Sequence, residues 1–473
     1  MALRITSTLT GREEEFKPAG EVVTIYACGM TPKFHPHVGH ARLFVSMDVI
    51  RRYLIYRGYR LHFVQNFTDV DDKIIARGHK EGIDPKEVAR KYTDSYFEVM
   101  DALNVMRADE YPMATQVIPQ IVAFVEKLIA TGFAYEVDGN VWYQVDRFAE
   151  YGKLSGRSEE EGVMAGARVE LEPGKRDPRD FALWKRAKEG EPAWDSPWGP
   201  GRPGWHIECS TMIQQTLGQQ IDIHAGGRDL IFPHHENEIA QSEAYCGCSP
   251  FARYWVHVGL LNIGGEKMSH SLNNFLTIQE LLSRYEPAAL RLYLISIPYR
   301  APMAYSEEGV EAAVKALGRL RSALEAPTGP SANRDPRQEE LTAGVRLAES
   351  AQQAFDAAMD SDFNTSQGLA ALFDLSRDIN RLRIQEGYPA AALEAPRAKL
   401  VELAGVLGLD LEVARPRESR EADPYIDLLV EVRNKLRAAK QWALADEVRV
   451  RLRDLGVSVE DRPEGSIWKY EQP

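Results

Sequence analysis

The chain has 473 residues, 44% of them hydrophobic and 27% charged, and a formal net charge of −13. That balance suits a globular protein of about three or four domains, and the acidic excess argues against indiscriminate nucleic-acid binding, which needs a basic surface. No stretch approaches the roughly 20 apolar residues needed to span a bilayer. The opening MALRITSTLTGREEEF lacks the apolar run of a signal peptide, and four cysteines in so long a chain fit a reducing cytoplasm better than a disulfide framework.

VVTIYA, residues 22–27, reads as a buried strand. A glycine-bearing loop follows, then a helical pattern from about His37 to Arg57 closed by Gly58, then a second strand in RLHFVQNFT. This is a βαβ unit, the start of a parallel sheet with right-handed crossovers. FAYEVDGNVWYQV, 133–145, predicts a β-hairpin with Gly139 in its turn, inside an insertion between two halves of the sheet. GWHIEC opens the second half. QQIDIHAGGRDLIFPHHENE predicts a strand, a glycine turn and a helix beginning near Pro233. YWVHVGLLNI predicts one further strand, running into GGEKMSHS. From about 305 the apolar spacing is helical and predicts a bundle, with a loop at 326–338, a polar linker ARPRESREADP, and a short final unit from Pro424.

HPHVGHAR, 35–42, raises a question of chemistry. His37 and His40 have a workable metal spacing, but their loop lies at the carboxyl end of the first strand and the start of a helix. Backbone N–H groups and the helix dipole favour an anion there. On that reading the two histidines donate hydrogen bonds to a triphosphate, and Gly39 lets it approach; the plain alternative is a structural helix start. In GGEKMSHS, 264–271, Lys267, Ser269 and His270 are flexible donors beside paired glycines. Such a loop can close over phosphates and stabilise transition-state charge; alone, a solvated turn explains it as well.

Metal-ligand chemistry points elsewhere. Zinc takes thiolate, imidazole and carboxylate, and the candidates are Cys28, Cys209 and the cluster His234, His235, Glu236 and Glu238. His234 and Glu238 are four apart and share a helix face. Cys28 and Cys209 each lie just past a predicted strand, so neighbouring parallel strands can bring them together. Spacing leaves His234 and His235 undecided. Cys246 and Cys248 read as a helix end and loop, because nothing nearby completes a metal site.

HVGH after the first strand and KMSHS after the last resemble the paired signature of class I aminoacyl-tRNA synthetases. NFTDVDDKII, KRDPRDFALWK, PGWHIECS, GGRDLIFPHHENEIAQSEA and ALADEVRVRLRDLGVSVED resemble blocks of the cysteinyl-tRNA synthetase family over nearly the whole chain. The resemblance implies an α/β fold: a Rossmann-like parallel-sheet catalytic domain with an inserted connective domain, then a helical bundle and a small C-terminal domain. The expected bounds are 1–115 and 201–304 for the two catalytic halves, 116–200 for the insertion, 305–415 for the bundle and 424–473 for an anticodon-binding unit.

It further implies cysteine–tRNA ligase activity: ATP-dependent formation of cysteinyl-adenylate, then transfer to the terminal ribose of tRNA-Cys. His37, Gly39, His40, Gly227, Asp229, Lys267, Ser269 and His270 would hold ATP, with His37, His40, Lys267 and His270 catalytic; Cys28, Thr68 and Trp205 would meet L-cysteine. Cys28, Cys209, His234 and Glu238 would hold one Zn²⁺ per chain. That ion would exclude serine by taking the substrate thiolate as an extra ligand, a discrimination that an apolar pocket makes poorly. Mg²⁺ accompanies ATP. A cytoplasmic monomer with no membrane partner is expected. Arg433, Lys435, Arg437, Lys440, Arg449, Arg451 and Arg453, with Trp442 or Trp468, would face the tRNA.

The chain departs from the family pattern in places. His270 stands where a second lysine is usual, so loop charge would depend on pH and activation would improve as pH falls toward about 6.5. Asn273 and Ala225 replace glycines, and Pro32, Lys33 and Phe34 replace the usual residues of CGxTVYD; Lys33 would return positive charge near the phosphates. Two alternatives are a cysteine:amino-sugar ligase of mycothiol synthesis, which lacks the full C-terminal end, and a non-catalytic zinc-containing tRNA-binding paralogue.

Overall fold

The apolar run Val22–Ala27 forms a buried strand, β1, and the helical spacing after it forms α1, Val38–Tyr56. The helix ends as its sequence predicts. Gly58 takes φ +86, a left-handed conformation open to glycine, and the Tyr59 N–H returns to the Leu54 carbonyl at 3.0 Å. β2 is Arg60–Gln65. After an insertion come α2, Trp205–Thr216; β3, Ile221–Gly227; α3, Glu236–Cys246; and β4, Ala252–Val258. The four strands pair in parallel in the order β4-β3-β1-β2. The connections leave β1 and β3 toward opposite edges, so a crevice opens at the carboxyl ends of these central neighbours, where ligands bind in such sheets.

This computed structural model describes residues 2–156, 173–263, 266–267, 275–325, 327, 334–385, 388–411, 423–439, 441–455, 457–462 and 465–470. Among them no helix is long and apolar enough to cross a membrane. The chain forms two compact units, Met1–Leu411 and Glu412–Pro473.

Within the first unit, the insertion packs helix Ile118–Ala130 on an antiparallel sheet of Ala134–Val137, Asn140–Tyr143, Phe181–Arg186 and Gly201–Pro203. The hairpin at 133–145 turns through Asp138 and Gly139 at φ +53 and +84, the paired positive angles of a tight two-residue turn. Beyond the sheet, helices Glu307–Ser322, Gln338–Asp360, Thr365–Arg383 and Glu394–Val406 share one continuous apolar core with α1. Arg291, fully buried, pairs with Asp48 of α1 and donates to the Leu407 carbonyl at 2.8 Å. The architecture is α/β with a helical region after the sheet.

Three expectations need correction. YWVHVGLLNI is two strands: β4 ends at Val258, and Leu261–Ile263 joins a separate small sheet with Glu266–Lys267 and Met303–Tyr305. The break is at Gly259, whose N–H bonds the Tyr299 carbonyl at 2.7 Å and where a Cβ would meet the Ala301 carbonyl oxygen at 2.3 Å. Cys209 does not follow a strand directly but lies inside α2, because Gly204 starts the helix right after Gly201–Pro203. The regular helix after β3 begins at Glu236, after one wide turn at Ile231–His235 in which Phe232 is extended. Cys246 and Cys248 are, as expected, the end of α3 and the loop after it, and a disulfide joins them. They remain outside any cluster of metal donors among the described residues.

In the second unit, helices Asp423–Ala438 and Trp442–Asp454 and the hairpin Val457–Arg462/Gly465–Tyr470 enclose Ile426, Val430, Leu452, Val457 and Val459. The basic face is thinner than its sequence suggests. Arg433 is buried and bonds Ser466 at 3.2 Å. Lys435 pairs with Glu431 at 2.6 Å and Arg451 with Glu447 at 2.8 Å. Trp442 is exposed, and the Trp468 N–H donates to Asp427. Lys440 lies outside the described residues.

Candidate active site and metal centre

The HVGH motif caps its own helix. His37 is the N-cap of α1, and its Nδ1 accepts the Gly39 N–H at 3.1 Å and the His40 N–H at 3.3 Å. His40 Nδ1 accepts the His37 N–H at 3.3 Å, and the rings stack with centroids 3.7 Å apart. A nitrogen that accepts an N–H carries no proton, so each neutral ring bears its proton on Nε2. Burial, and then the charge of Lys33, lowers the His40 pKa to about 4, so it is neutral at physiological pH. This leaves one Nε2–H donor on each ring at a helix N-terminus, a position whose dipole favours anions.

The metal candidates converge on Cys28, the first residue after β1, whose N–H bonds the Ala225 carbonyl of β3 at 2.9 Å. Cys28 Sγ lies 3.9 Å from Cys209 Sγ, 3.7 Å from His234 Nε2, 3.6 Å from Glu238 Oε1 and 3.3 Å from His235 Nε2. One donor atom from each of Cys28, His234, His235 and Glu238 falls within 4.8 Å of the others, and all are buried. The His234 and Glu238 side chains meet at 2.9 Å, as their four-residue spacing requires. Burial and the neighbouring Cys209 and Glu238 push the Cys28 thiol up, whereas the Cys28 hydrogen bond draws the Cys209 thiol down to about 6. Burial works against a charged His234, but Glu238 and Cys209 push it up to about 10.

Several supporting residues were not singled out from the sequence. His224 holds the far oxygen of Glu238 at 2.8 Å, His206 bonds His234 at 2.9 Å, and His235 bonds His257 at 2.8 Å, which in turn reaches Thr8 at 2.8 Å. Opposed to burial, His224 and His234 together hold the Glu238 carboxyl down to about 2. Polar residues inside apolar strands, His224 in IDIHAGG and His257 in YWVHV, were the available signal.

Thr68 is buried, its N–H bonds the Met30 carbonyl at 3.4 Å, and its side chain hydrogen-bonds Glu208, the chain neighbour of Cys209. Trp205 stacks on His234 with centroids 4.3 Å apart, and the Lys73 ammonium lies 5.9 Å from its ring. Gly29, next to Cys28, donates to the Asn66 side chain at 2.8 Å. At the end of β3 a Cβ on Gly226 would meet the His235 ring at 2.7 Å, and one on Gly227 would meet Asp229 at 2.6 Å. Gly226 is therefore a close-approach position against the buried His235 ring, whereas the contact at Gly227 is with the flexible end of Asp229, which can turn aside. Lys267 pairs with Asn262 in the small sheet through its backbone. Ser269, His270 and Asn273 lie outside the described residues.

Residues 15–315 match the model of the class I (C) tRNA synthetase catalytic domain, and 354–412 match the DALR domain. A cysteine–tRNA ligase from Dehalococcoides mccartyi is 50% identical over 469 residues, covering 99% of both chains. One from Thermococcus gammatolerans is 47% identical over 475 residues, again 99% of both. The chain belongs to the cysteinyl-tRNA synthetase family. The synthetase also resembles in fold the Mycobacterium tuberculosis methionyl-tRNA synthetase in complex with methionyl-adenylate: TM-score 0.59, 17% identity, 87% of this chain and 94% of that one. It is an enzyme of the aminoacyl-tRNA ligase type, and ATP is its energy source.

Proposed function

We propose that the enzyme joins L-cysteine to tRNA-Cys in two steps. A cysteine carboxylate oxygen attacks the α-phosphorus of ATP, forming cysteinyl-adenylate as pyrophosphate leaves. A hydroxyl of the terminal ribose then attacks the acyl carbon, and AMP leaves. The chain supplies position and charge rather than a covalent nucleophile. The stacked His37–His40 pair presents neutral N–H donors to the phosphates, Gly39 leaves room for them, and Gly227 and Asp229 take the nucleoside. Lys267, Ser269 and His270 would supply donors to the triphosphate, which carries Mg²⁺.

The observation that carries the cysteine assignment is the cluster of thiols, imidazole and carboxylate beside the phosphate-binding helix end. Zinc–sulfur bonds of about 2.3 Å require a tetrahedral sulfur–sulfur edge of about 3.8 Å, and Cys28 and Cys209 stand 3.9 Å apart. His234 fits the fourth place better than His235. It adjoins both thiols and Glu238, whereas His235 is 4.0 Å from Glu238 and bonds His257. Cys28, Cys209, His234 and Glu238 would therefore hold one Zn²⁺. Bound there, the ion would supply affinity for the substrate thiolate that a serine hydroxyl, protonated at neutral pH, cannot match. Thr68 and Trp205 line the amino-acid side of the pocket, and Trp205 stacking fixes the His234 ring.

Cysteine-dependent ATP–pyrophosphate exchange followed by acylation of tRNA-Cys tests the reading. Exchange with cysteine but not serine, and charging of tRNA-Cys, is expected. Absent exchange, or transfer to an amino sugar in place of tRNA, overturns it.

A further inference from the structure

We propose that Lys33, in the loop between β1 and α1, is a catalytic residue that contacts the phosphates of ATP and supplies fixed positive charge opposite the HVGH helix end. The proposal rests on the ATP-dependent reading above and adds a group that neither signature motif contains.

Lys33 is half-buried, and among the described residues its ammonium has no carboxylate or hydrogen-bond partner. Other cations withdrawn from water in this acidic chain meet acids: half-buried Lys153 pairs with Glu150 and Glu243, buried Arg202 with Asp72 and Glu191, and half-buried Arg57 with Asp360. Lys73, whose charge also reaches Lys33, has only the Trp205 ring against it. Lys33 and the exposed Lys73 thus feel each other's charge, with Asp71 the acid whose charge reaches Lys33 and one oxygen of its carboxylate accepting the Lys73 backbone N–H at 2.9 Å. Withdrawing an ammonium from water without a counterion is unfavourable. An anionic ligand offsets that cost.

The loop geometry says which anion. Lys33 is anchored by its N–H to the Thr31 carbonyl at 2.9 Å and is flanked by Phe34, which packs edge-on against Phe275 with centroids 4.8 Å apart. Phe275 also packs on His37 at 5.1 Å. Lys33 therefore belongs to a loop packed through Phe34 and Phe275 onto His37, and its charge is felt at His40. The amino-acid carboxylate belongs beside Cys28 and Thr68, so the phosphates are the anion within reach of both Lys33 and the helix end. Burial, and then the Lys73 charge, lower the Lys33 pKa, and an anion beside the ammonium offsets both.

Exchange kinetics of Lys33→Met and Lys33→Arg in the full-length enzyme, alone and with His270→Lys, test this. Lys33→Met should raise the KM for ATP and the inhibition constant of inorganic pyrophosphate by about tenfold or more, with the KM for cysteine within about twofold. Lys33→Arg should recover most of the loss, and His270→Lys should reduce the penalty of Lys33→Met. Unchanged ATP and pyrophosphate constants in folded Lys33→Met overturn the proposal while leaving the ligase reading intact. A loss confined to transfer onto tRNA overturns it too and assigns Lys33 to the RNA end. A wild-type enzyme without cysteine-dependent exchange removes both.

Discussion

The Cys28 and Cys209 sulfurs lie 3.9 Å apart although 181 residues separate them in the chain. One thiol follows the first central strand and the other sits on a helix that begins after the insertion, so the distance is a product of the parallel sheet. Purified protein is expected to carry one Zn²⁺ per chain by elemental analysis. Cys209→Ser should weaken zinc binding by at least about tenfold in chelator competition and erode the preference for cysteine over serine. Cys248→Ser should change neither. Metal-free enzyme that still refuses serine would refute the zinc-based selectivity.

His224 bonds the Glu238 oxygen facing away from Cys28. Removing a residue that orients a ligand typically costs about 10–100-fold in metal affinity. His224→Ala should therefore lower zinc affinity by that order while the fold, followed by circular dichroism, persists. Equal affinity in the variant would show that Glu238 needs no such support.

Gly29 has no room for a side chain: a Cβ would lie 1.6 Å from the Asn66 carbonyl oxygen. Gly29→Ala must push apart the two loops that follow β1 and β2. A loss of about 1–3 kcal/mol in urea unfolding and a sharp fall in exchange rate are expected. A variant with wild-type stability and rate would mean that these loops yield freely.

Arg291 and Asp48 form a buried ion pair between α1 and the segment Pro287–Ile295. Deleting one partner strands the other charge, at a cost of about 3–5 kcal/mol. Asp48→Ala should show that loss by chemical denaturation, and Asp48→Asn, which keeps an acceptor, a smaller one. Indistinguishable unfolding midpoints would contradict the pairing.

His40 titrates at about 4 in the folded chain because burial, and then Lys33, disfavour its cation; an unfolded histidine titrates near about 6.5. Between these values the unfolded chain binds more protons. Stability therefore rises with pH across the window and is lost as pH falls from about 6.5 toward about 4. Urea midpoints at pH 5 and 7 should differ less in His40→Gln than in the parent. An equal difference in both would place the effect on another group.

The βαβ start, the insertion hairpin and the helices after 305 were legible because each carries a local signal: an apolar run, a two-residue glycine turn, a 3.6-residue spacing. The strand beyond Val258 and the helical position of Cys209 were misread for a common reason. Gly259 and Gly204 change the direction of the chain through close backbone approaches, at 2.3 Å and 1.9 Å for a Cβ, to residues far away in sequence. No window of sequence contains both sides of such a contact. Arg433 likewise looked like part of a basic face, yet its helix turns it inward onto Ser466.

By itself the sequence determined the family, the order of the elements and the residue types able to hold phosphate and metal, because motif spacing and hydrophobic period are properties of neighbours along the chain. Tertiary structure alone decided that Cys28 faces Cys209, that His224 braces Glu238, that His37 and His40 stack with each Nδ1 on a backbone N–H, and that Lys33 meets no acid partner among the described residues. Those relations depend on where strands from both sides of the insertion lie in one sheet. Only a closed fold sets the distances over which charge and hydrogen bonding act.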